Sequence, residues 1–273
     1  VRSPDRSDYF GIFAALVDGA AQAGIELCTP YDEPFVELYD VEQQGPAGDL
    51  DFFASMVQRH GGPVLELACG SGRIAVPLSR QGFSVHGVDR SSAMLERARN
   101  RMAASGETAG SLQLEQADVF EYVRSRANDP QDYGIIIVGA TMFAAFAAEG
   151  GPTWLRTLGE LLRPDGALCF DVARPGTADG GVNGRQVHTR DGRVDLVSGS
   201  LALAEGQGHI FNAYAERADR TTVRRYLATE TVLTPSDAQL QALLRNAALS
   251  ITHREALGDG AVQATGYVAR RSN

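Results

Sequence analysis

The sequence contains no lysine; all 25 of its Lys-plus-Arg residues are arginine. That excludes a Schiff-base lysine and the phosphate-gripping lysine of a Walker loop, and reads as a compositional bias of the source genome. Positive charge is scarce overall. A formal net charge of -9 and a pI near 5.1 argue against a nucleic-acid backbone as partner, because phosphates are neutralised by an excess of cations. Cysteine is nearly absent, with Cys28, Cys69 and Cys169 far apart. This fits a reducing compartment and no disulfide framework. No apolar run approaches membrane-spanning length, and no cationic, apolar, small-residue leader opens the chain, so the expectation is a cytoplasmic protein without membrane contact. No cluster of His, Cys or carboxylates has metal-ligand spacing, so no metal is expected. Neither a Gly-x-Ser-x-Gly elbow nor a Cys/His nucleophile pair occurs, and there is no internal repeat or low-complexity tract.

What is present is core material: 44% of the 273 residues are hydrophobic and 22% are charged, a balance that folds. Residues 1–60 read as helical and irregular, with Tyr9, Phe13, Leu16 and Val17 at helical spacing and Gly61-Gly62-Pro63 as a break. From Val64 the pattern alternates strand and helix. Strands are expected at Val64–Leu67, Phe83–Val88, Ser111–Leu114, Ile135–Val138 and Ala167–Val172. Helices are expected after Gly72, after the cap Ser91, and through Trp154, Leu155, Leu158 and Leu162. Regular alternation predicts an α/β fold with a doubly wound, mostly parallel sheet. Residues 174–184 read as a Gly-, Pro- and Asp-rich loop. Four β-rich runs follow, at Gln186–Thr189, Val194–Val197, His209–Tyr214 and Val223–Val232, with Asp191-Gly192 as a hairpin turn. They predict an antiparallel insertion after the fifth strand. Thr234-Pro235-Ser236-Asp237 announces a helix with Thr234 as cap, and Ser250–Thr252 and Gly266–Ala269 close the sheet. The expected organisation is an N-terminal helical cap over 1–60, a cofactor-binding core over 61–173, the insertion over 174–233, and a closing helix and strands over 234–273.

The chemistry concentrates in one turn. Ala68-Cys69-Gly70-Ser71-Gly72 joins a strand to a helix, where a ligand can approach the backbone beside helical N–H groups. Asp89, ending the next strand, can accept from a ribose diol. Gly70-x-Gly72-x-x-Ala75 also loosely satisfies a dinucleotide fingerprint. Two acids argue against that: Glu66 in the first strand would repel a pyrophosphate but suits an ammonium, and Asp118 after the third strand can accept from an adenine amino group.

The run VLELACGSGRIAVPLSRQGFSVHGVDRSSAMLERAR resembles the class I methyltransferases that use S-adenosyl-L-methionine, from Val64 to about Val172. The resemblance implies a Rossmann-like fold and a set of contacts. Glu66, Ala68, Gly70 and Gly72 surround the methionine part, and Arg73 reaches its carboxylate. Asp89, with Arg90 beside it, holds the ribose, and Met94 packs near the adenine. Asp118 and Val119 meet the adenine edge, and Gly139 to Met142 lie beside the transferable methyl. Ala68 stands where the usual pattern has its first glycine. The insertion around Thr189-Arg190-Asp191-Gly192-Arg193 and the late Gly266-Tyr267-Val268 strand resemble the N,N-dimethyltransferases of antibiotic amino sugars. In those the insert covers the acceptor or forms a homodimer contact. The implied partner is a small-molecule or short-peptide amine in natural-product metabolism.

Acceptor-side candidates are Tyr31 and Tyr39, whose rings could face a sulfonium, Met142 beside the methyl site, and His188 and His209 as proton acceptors. For each, plain packing is the competing reading. The rival functions are an O-methyltransferase, a non-catalytic adenosylmethionine-binding protein, and an NAD-dependent oxidoreductase. The last wants a Tyr-x-x-x-Lys or similar pair that a lysine-free chain cannot supply.

Overall fold

The computed structural model describes residues 5–32, 35–36, 48–104, 106, 109–127, 132–174, 179–189, 192–203, 207–219, 221–258 and 263–272. The chain divides into two compact units, one of residues 1–44 and 175–234 and the other of residues 45–174 and 235–273.

The second unit is a seven-stranded sheet. Its strands are β2 (Val64–Leu67), β3 (Ser84–Asp89), β4 (Ser111–Gln116), β5 (Tyr133–Val138), β6 (Leu162–Ala173), β11 (Leu249–Leu257) and β12 (Ala264–Arg271), in the order β11-β12-β6-β5-β2-β3-β4. The run β6-β5-β2-β3-β4 is parallel, and β12 and β11 add antiparallel at one side. This is the doubly wound, mostly parallel α/β sheet that the sequence pattern calls for. Val64–Leu67 is buried throughout, as is Gly134–Val138, because helices cover both faces and leave no solvated side on which polar residues could alternate.

Side chains two apart on a strand share a face. Val64, Ile135, Ile137 and Cys169 pack with Phe53 and Val57 of α3 (Asp49–His60) and with Leu78 of α4 (Ala75–Arg80). Leu65, Leu67, Ile136 and Phe170 pack on the other face with Val123 of α6 (Val119–Ser125), with Phe143, Leu155 and Leu158 of α7 (Phe143–Leu161), and with Leu240 of α8 (Asp237–Arg245). Each such side chain taken fully out of water contributes about 1.5–3 kcal/mol. Between β3 and β4 runs α5 (Ser92–Ala104), whose Met94, Leu95 and Ala98 are buried. From β2 the chain works outward on one side to β4, then returns to β5 on the other. The crevice at the carboxyl ends of β2 and β5 is therefore the switch point where open α/β sheets bind ligands.

The first unit is a five-stranded sheet in the order β1-β10-β9-β8-β7. Its strands are β1 (Ile25–Cys28), β7 (Asp179–Thr189), β8 (Gly192–Ala202), β9 (Gly208–Ala218) and β10 (Val223–Leu233), joined by helices α1 (Gly11–Asp18) and α2 (Ala20–Ala23). Buried Asn212 ties the N-terminal segment to this sheet. It accepts from Phe10 N–H at 3.1 Å and donates to Asp8 O at 2.9 Å and to Thr229 Oγ1 at 2.8 Å.

Several local expectations change. Residues 25–28, read as irregular, form β1, which pairs in parallel with β10; four residues are too few to show a period. The presumed loop over 174–184 is already strand from Asp179, because a hairpin partner supplies hydrogen bonds that glycine-rich composition does not foretell. The helix before β6 starts at Phe143 and is interrupted at Gly151 (φ 62°, ψ -165°) ahead of Pro152. The cap of α8 is Ser236, in a capping box with Gln239, rather than Thr234. Of the expected hairpin turn Asp191-Gly192, Asp191 lies outside the described residues and Gly192 begins β8. No described helix is long and apolar enough to cross a membrane.

Gly134 supplies a test of the core. A Cβ there would lie 2.2 Å from the carbonyl oxygen of Gly61, a backbone atom that cannot step aside. Gly134→Ala is expected to cost about 1–3 kcal/mol, read as a lowered urea midpoint. An unchanged midpoint would mean that the turn before β2 is not held against β5.

Candidate cofactor site at the carboxyl end of the central strand

Glu66 and Asp171 have the parity of Val64 and Cys169, so both point to the face covered by α3 and α4. Both are buried, Glu66 at 3% exposure and Asp171 at 0%. Each carries an oxygen without a hydrogen-bond partner among the described residues, Glu66 Oε2 and Asp171 Oδ2. Burial pushes Glu66 up to about 8, opposed by the Arg73 guanidinium and by an N–H bond from Ala75, and reinforced by Asp89 and Asp49. Burial likewise lifts Asp171 to about 7, opposed by the N–H of Thr141 and reinforced by Asp49.

The glycine turn shapes the space above them. Gly72 has φ +73°, and a Cβ there would come within 2.9 Å of Val76 and 3.1 Å of Ala98. Only glycine lets the turn lie this close to α4 and α5. Ala68, where a glycine was expected, also takes a left-handed φ of 56°. The Gly70 N–H donates to Asp89 at 2.8 Å, and Ser91 N–H donates to the second oxygen of the same carboxylate at 2.8 Å. Asp89 is thereby fixed at the lip of the turn; burial raises its pKa and these two bonds oppose the shift. Met94 lies below, its sulfur 3.9 Å from where a Gly70 Cβ would stand. Arg73 is gripped by Asp49 at the start of α3, Nη1 to Oδ1 at 3.0 Å and Nη2 to Oδ2 at 2.6 Å.

The structure thus gathers Glu66, Gly70, Gly72, Arg73, Asp89 and Met94 around one turn. Asp118 caps α6, its Oδ1 accepting from Phe120 N–H at 2.9 Å and Glu121 N–H at 3.2 Å; Val119 is the buried first residue of that helix. Arg90 is exposed next to Asp89, and its carbonyl accepts from Gln116 at 3.2 Å. Gly139 abuts Ile74, and Met142 precedes α7 as its cap. Tyr31 and His209 belong to the other unit. Tyr31 donates to Glu230, and burial depresses the half-buried His209. His188 lies on β7, but its side chain is outside the described residues, as is all of Tyr39.

Two members of the cluster escape the sequence reading. Asp171 is an acid inside an apolar strand, the same signal that singles out Glu66, and a parity count along Ala167–Val172 finds it. Asp49 has no such signal, since an acid in a helix's first turn is ordinary.

Among the described residues no group of His, Cys, Asp and Glu could hold a metal ion. The cluster instead suits an organic cation. Glu66, Asp89, Asp49 and Asp171 are buried together, with Arg73 paired to Asp49 and Arg90 beside Asp89, and buried carboxylates without a full set of partners are costly.

A family model described as a methyltransferase domain matches residues 64–166. Residues 64–166 form a methyltransferase domain. Its class uses S-adenosylmethionine, and the orphaned oxygens of Glu66 and Asp171 fit a ligand that carries an ammonium and a sulfonium. Over 111 residues the chain is 28% identical to the putative methyltransferase YqeM of Bacillus subtilis (strain 168), a match covering 41% of this chain and 42% of that protein. The chain spans at most about two fifths of the length of the curated relatives it matches. Among solved structures, the CcbJ methyltransferase from Streptomyces caelestis superposes with a TM-score of 0.66 at 22% identity, covering 90% of this chain and 99% of that one. The sugar N-methyltransferase KedS8 from Streptoalloteichus sp ATCC 53650 gives 0.65 at 23% identity, covering 88% and 94%. Identities of this size speak for the fold.

The buried acids predict an unusual pH dependence. The folded chain keeps the Glu66 proton up to about pH 8, whereas a carboxyl of ordinary pKa 4.5 has released it. Between those values the unfolded state binds fewer protons, so stability falls as pH rises. Thermal midpoints of the free protein should therefore decline across this window, and Glu66→Gln should flatten the decline. Parallel curves for both proteins would contradict the burial of Glu66.

Proposed function

We propose that the chain is an S-adenosylmethionine-dependent methyltransferase that methylates the amine of a small molecule or short peptide. The observation that carries this is the buried carboxylate cluster at the switch point, with Glu66 facing a turn only glycine can make. When bound, the cofactor supplies an electrophilic methyl on a positively charged sulfur. The chain's own residues bind and orient it. Glu66 accepts from the ammonium, with Ala68, Gly70 and Gly72 giving the methionine part room. Asp89, flanked by Arg90, accepts from the ribose hydroxyls. Met94 packs by the adenine, and Asp118 and Val119 lie at its edge. Arg73, held by Asp49, reaches the methionine carboxylate. Gly139 to Met142, following β5, form the wall beside the methyl. Alignment of acceptor and methyl and exclusion of water carry the catalysis.

Charge supports an amine acceptor. Glu66, Asp49, Asp89 and Asp171, buried together, suit an acceptor arriving as an ammonium and disfavour one that must be anionic. Freeing the lone pair of an amine with a lysine-like pKa costs about 4 kcal/mol at pH 7, and a neighbouring sulfonium lowers that cost by repelling the ammonium. The fold shared with the sugar N-methyltransferase KedS8 and the antiparallel unit fit this reading. Tyr31, Tyr39, His188 and His209 are the candidate acceptor-side residues.

The test is transfer of labelled methyl to a panel of amino sugars, short peptides and hydroxylated analogues. Label should enter amines, and Glu66→Ala should reduce cofactor affinity by about tenfold or more, the scale of a lost charge-assisted hydrogen bond. Transfer confined to hydroxyl or carbon acceptors would contradict the amine reading.

A further inference from the structure

We propose that Asp171 is a positioning residue for the methyl acceptor, holding the turn after β5 in a strained left-handed shape through a hydrogen bond to the Thr141 backbone. This rests on the assignment of Gly139–Met142 as the wall of the methyl site.

The argument starts from the backbone. Ala140 has φ 55° and Thr141 φ 60°. Left-handed backbone costs a residue with a Cβ roughly 1–2 kcal/mol, and a β-branched residue there is an outlier. Two such residues in succession persist only where surrounding structure dictates them, and strain of this kind collects at functional sites. Here the dictating contact is visible. Thr141 N–H donates to Asp171 Oδ1 at 3.0 Å. Asp171 is fixed in the middle of its sheet, registered opposite Gly266 of β12, one residue past the Phe170–Val138 pair with β5. The turn is closed from the other side by Gly139, where a Cβ would lie 2.6 Å from Ile74. Met142 N–H bonds back to Gly139 O at 3.3 Å, and Phe143 then enters the core stacked on Phe170 at 3.6 Å.

A neutral amide or a glycine turn would serve if shape alone were needed. The choice of a fully buried acid with one oxygen unpartnered ties the turn to charge. The ionised groups that face it are Asp49 at the start of α3 and Arg73 after β2. A cation arriving over this cluster favours the carboxylate form, which grips Thr141 N–H more strongly than the acid form does. Cofactor uptake thereby stiffens the acceptor wall.

The experiment is amide hydrogen exchange at Thr141, followed by NMR on the full chain from pH 5 to 9, with and without S-adenosylmethionine. After correction for intrinsic exchange, wild-type protection should rise as pH passes through about 7, and should rise at lower pH with the cofactor present. Asp171→Asn should lose about tenfold in protection and its pH dependence, and its cofactor Kd should rise by the factor that the cofactor-induced shift in the wild-type inflection implies. For any amine the wild type methylates, this variant should lose kcat with KM little changed. Wild-type protection without an inflection would overturn the inference, and needs no variant to fold. So would Asp171→Asn protection equal to wild type, or a loss confined to cofactor affinity. If the wild type failed to bind S-adenosylmethionine, the functional reading would fall, while the exchange profile would still decide the role of Asp171.

Discussion

A carboxylate enclosed in an apolar sheet is the constraint on which the rest of this protein turns. Glu66 is in the central strand, flanked by Val64 and Leu65 on one side and Leu67 on the other, and is buried. Burial of an acid without a full set of partners is tolerated where a ligand completes it. Everything near Glu66 is arranged as though a positive charge were to be delivered there. The turn above it admits no side chain at Gly72, Asp89 is locked by two backbone donors, and the Arg73 guanidinium is engaged by Asp49. The fold provides the location. In a doubly wound sheet the carboxyl ends of β2 and β5 diverge, and the side chains and turns that end there converge on one crevice.

Much of this was legible in the sequence because it depends on local pattern. Fully apolar runs such as Ile135–Val138 announce covered parallel strands. Glycines between a strand and a helix announce a backbone-lined site, and an acid inside a buried strand announces a ligand. Resemblance to a methyltransferase family added the cofactor, in line with the domain match. The antiparallel strands β7 to β10 were visible from their β-branched and aromatic runs.

The unread parts depend on partners far away in the chain. Strand β1 exists because β10, some 200 residues later, offers it hydrogen bonds. The ion pair of Asp49 with Arg73 joins the start of a helix to the end of a turn, and neither residue advertises the other. No local pattern marks Ala140 and Thr141 as left-handed; Asp171, thirty residues on, holds the turn through the Thr141 N–H. Pairings of this kind follow from topology, which is also why the contacts of the acceptor-side candidates in the other unit could not be read from spacing alone.

The central claim is that the cluster around Glu66 waits for a cation. Calorimetric titration with S-adenosylmethionine at pH 7, repeated in buffers of different ionisation enthalpy, tests it most directly. Binding accompanied by net proton release is expected, because a positive ligand drives the raised carboxyls of Glu66 and Asp171 to ionise. Absence of binding, or uptake of NAD in its place, would contradict the account.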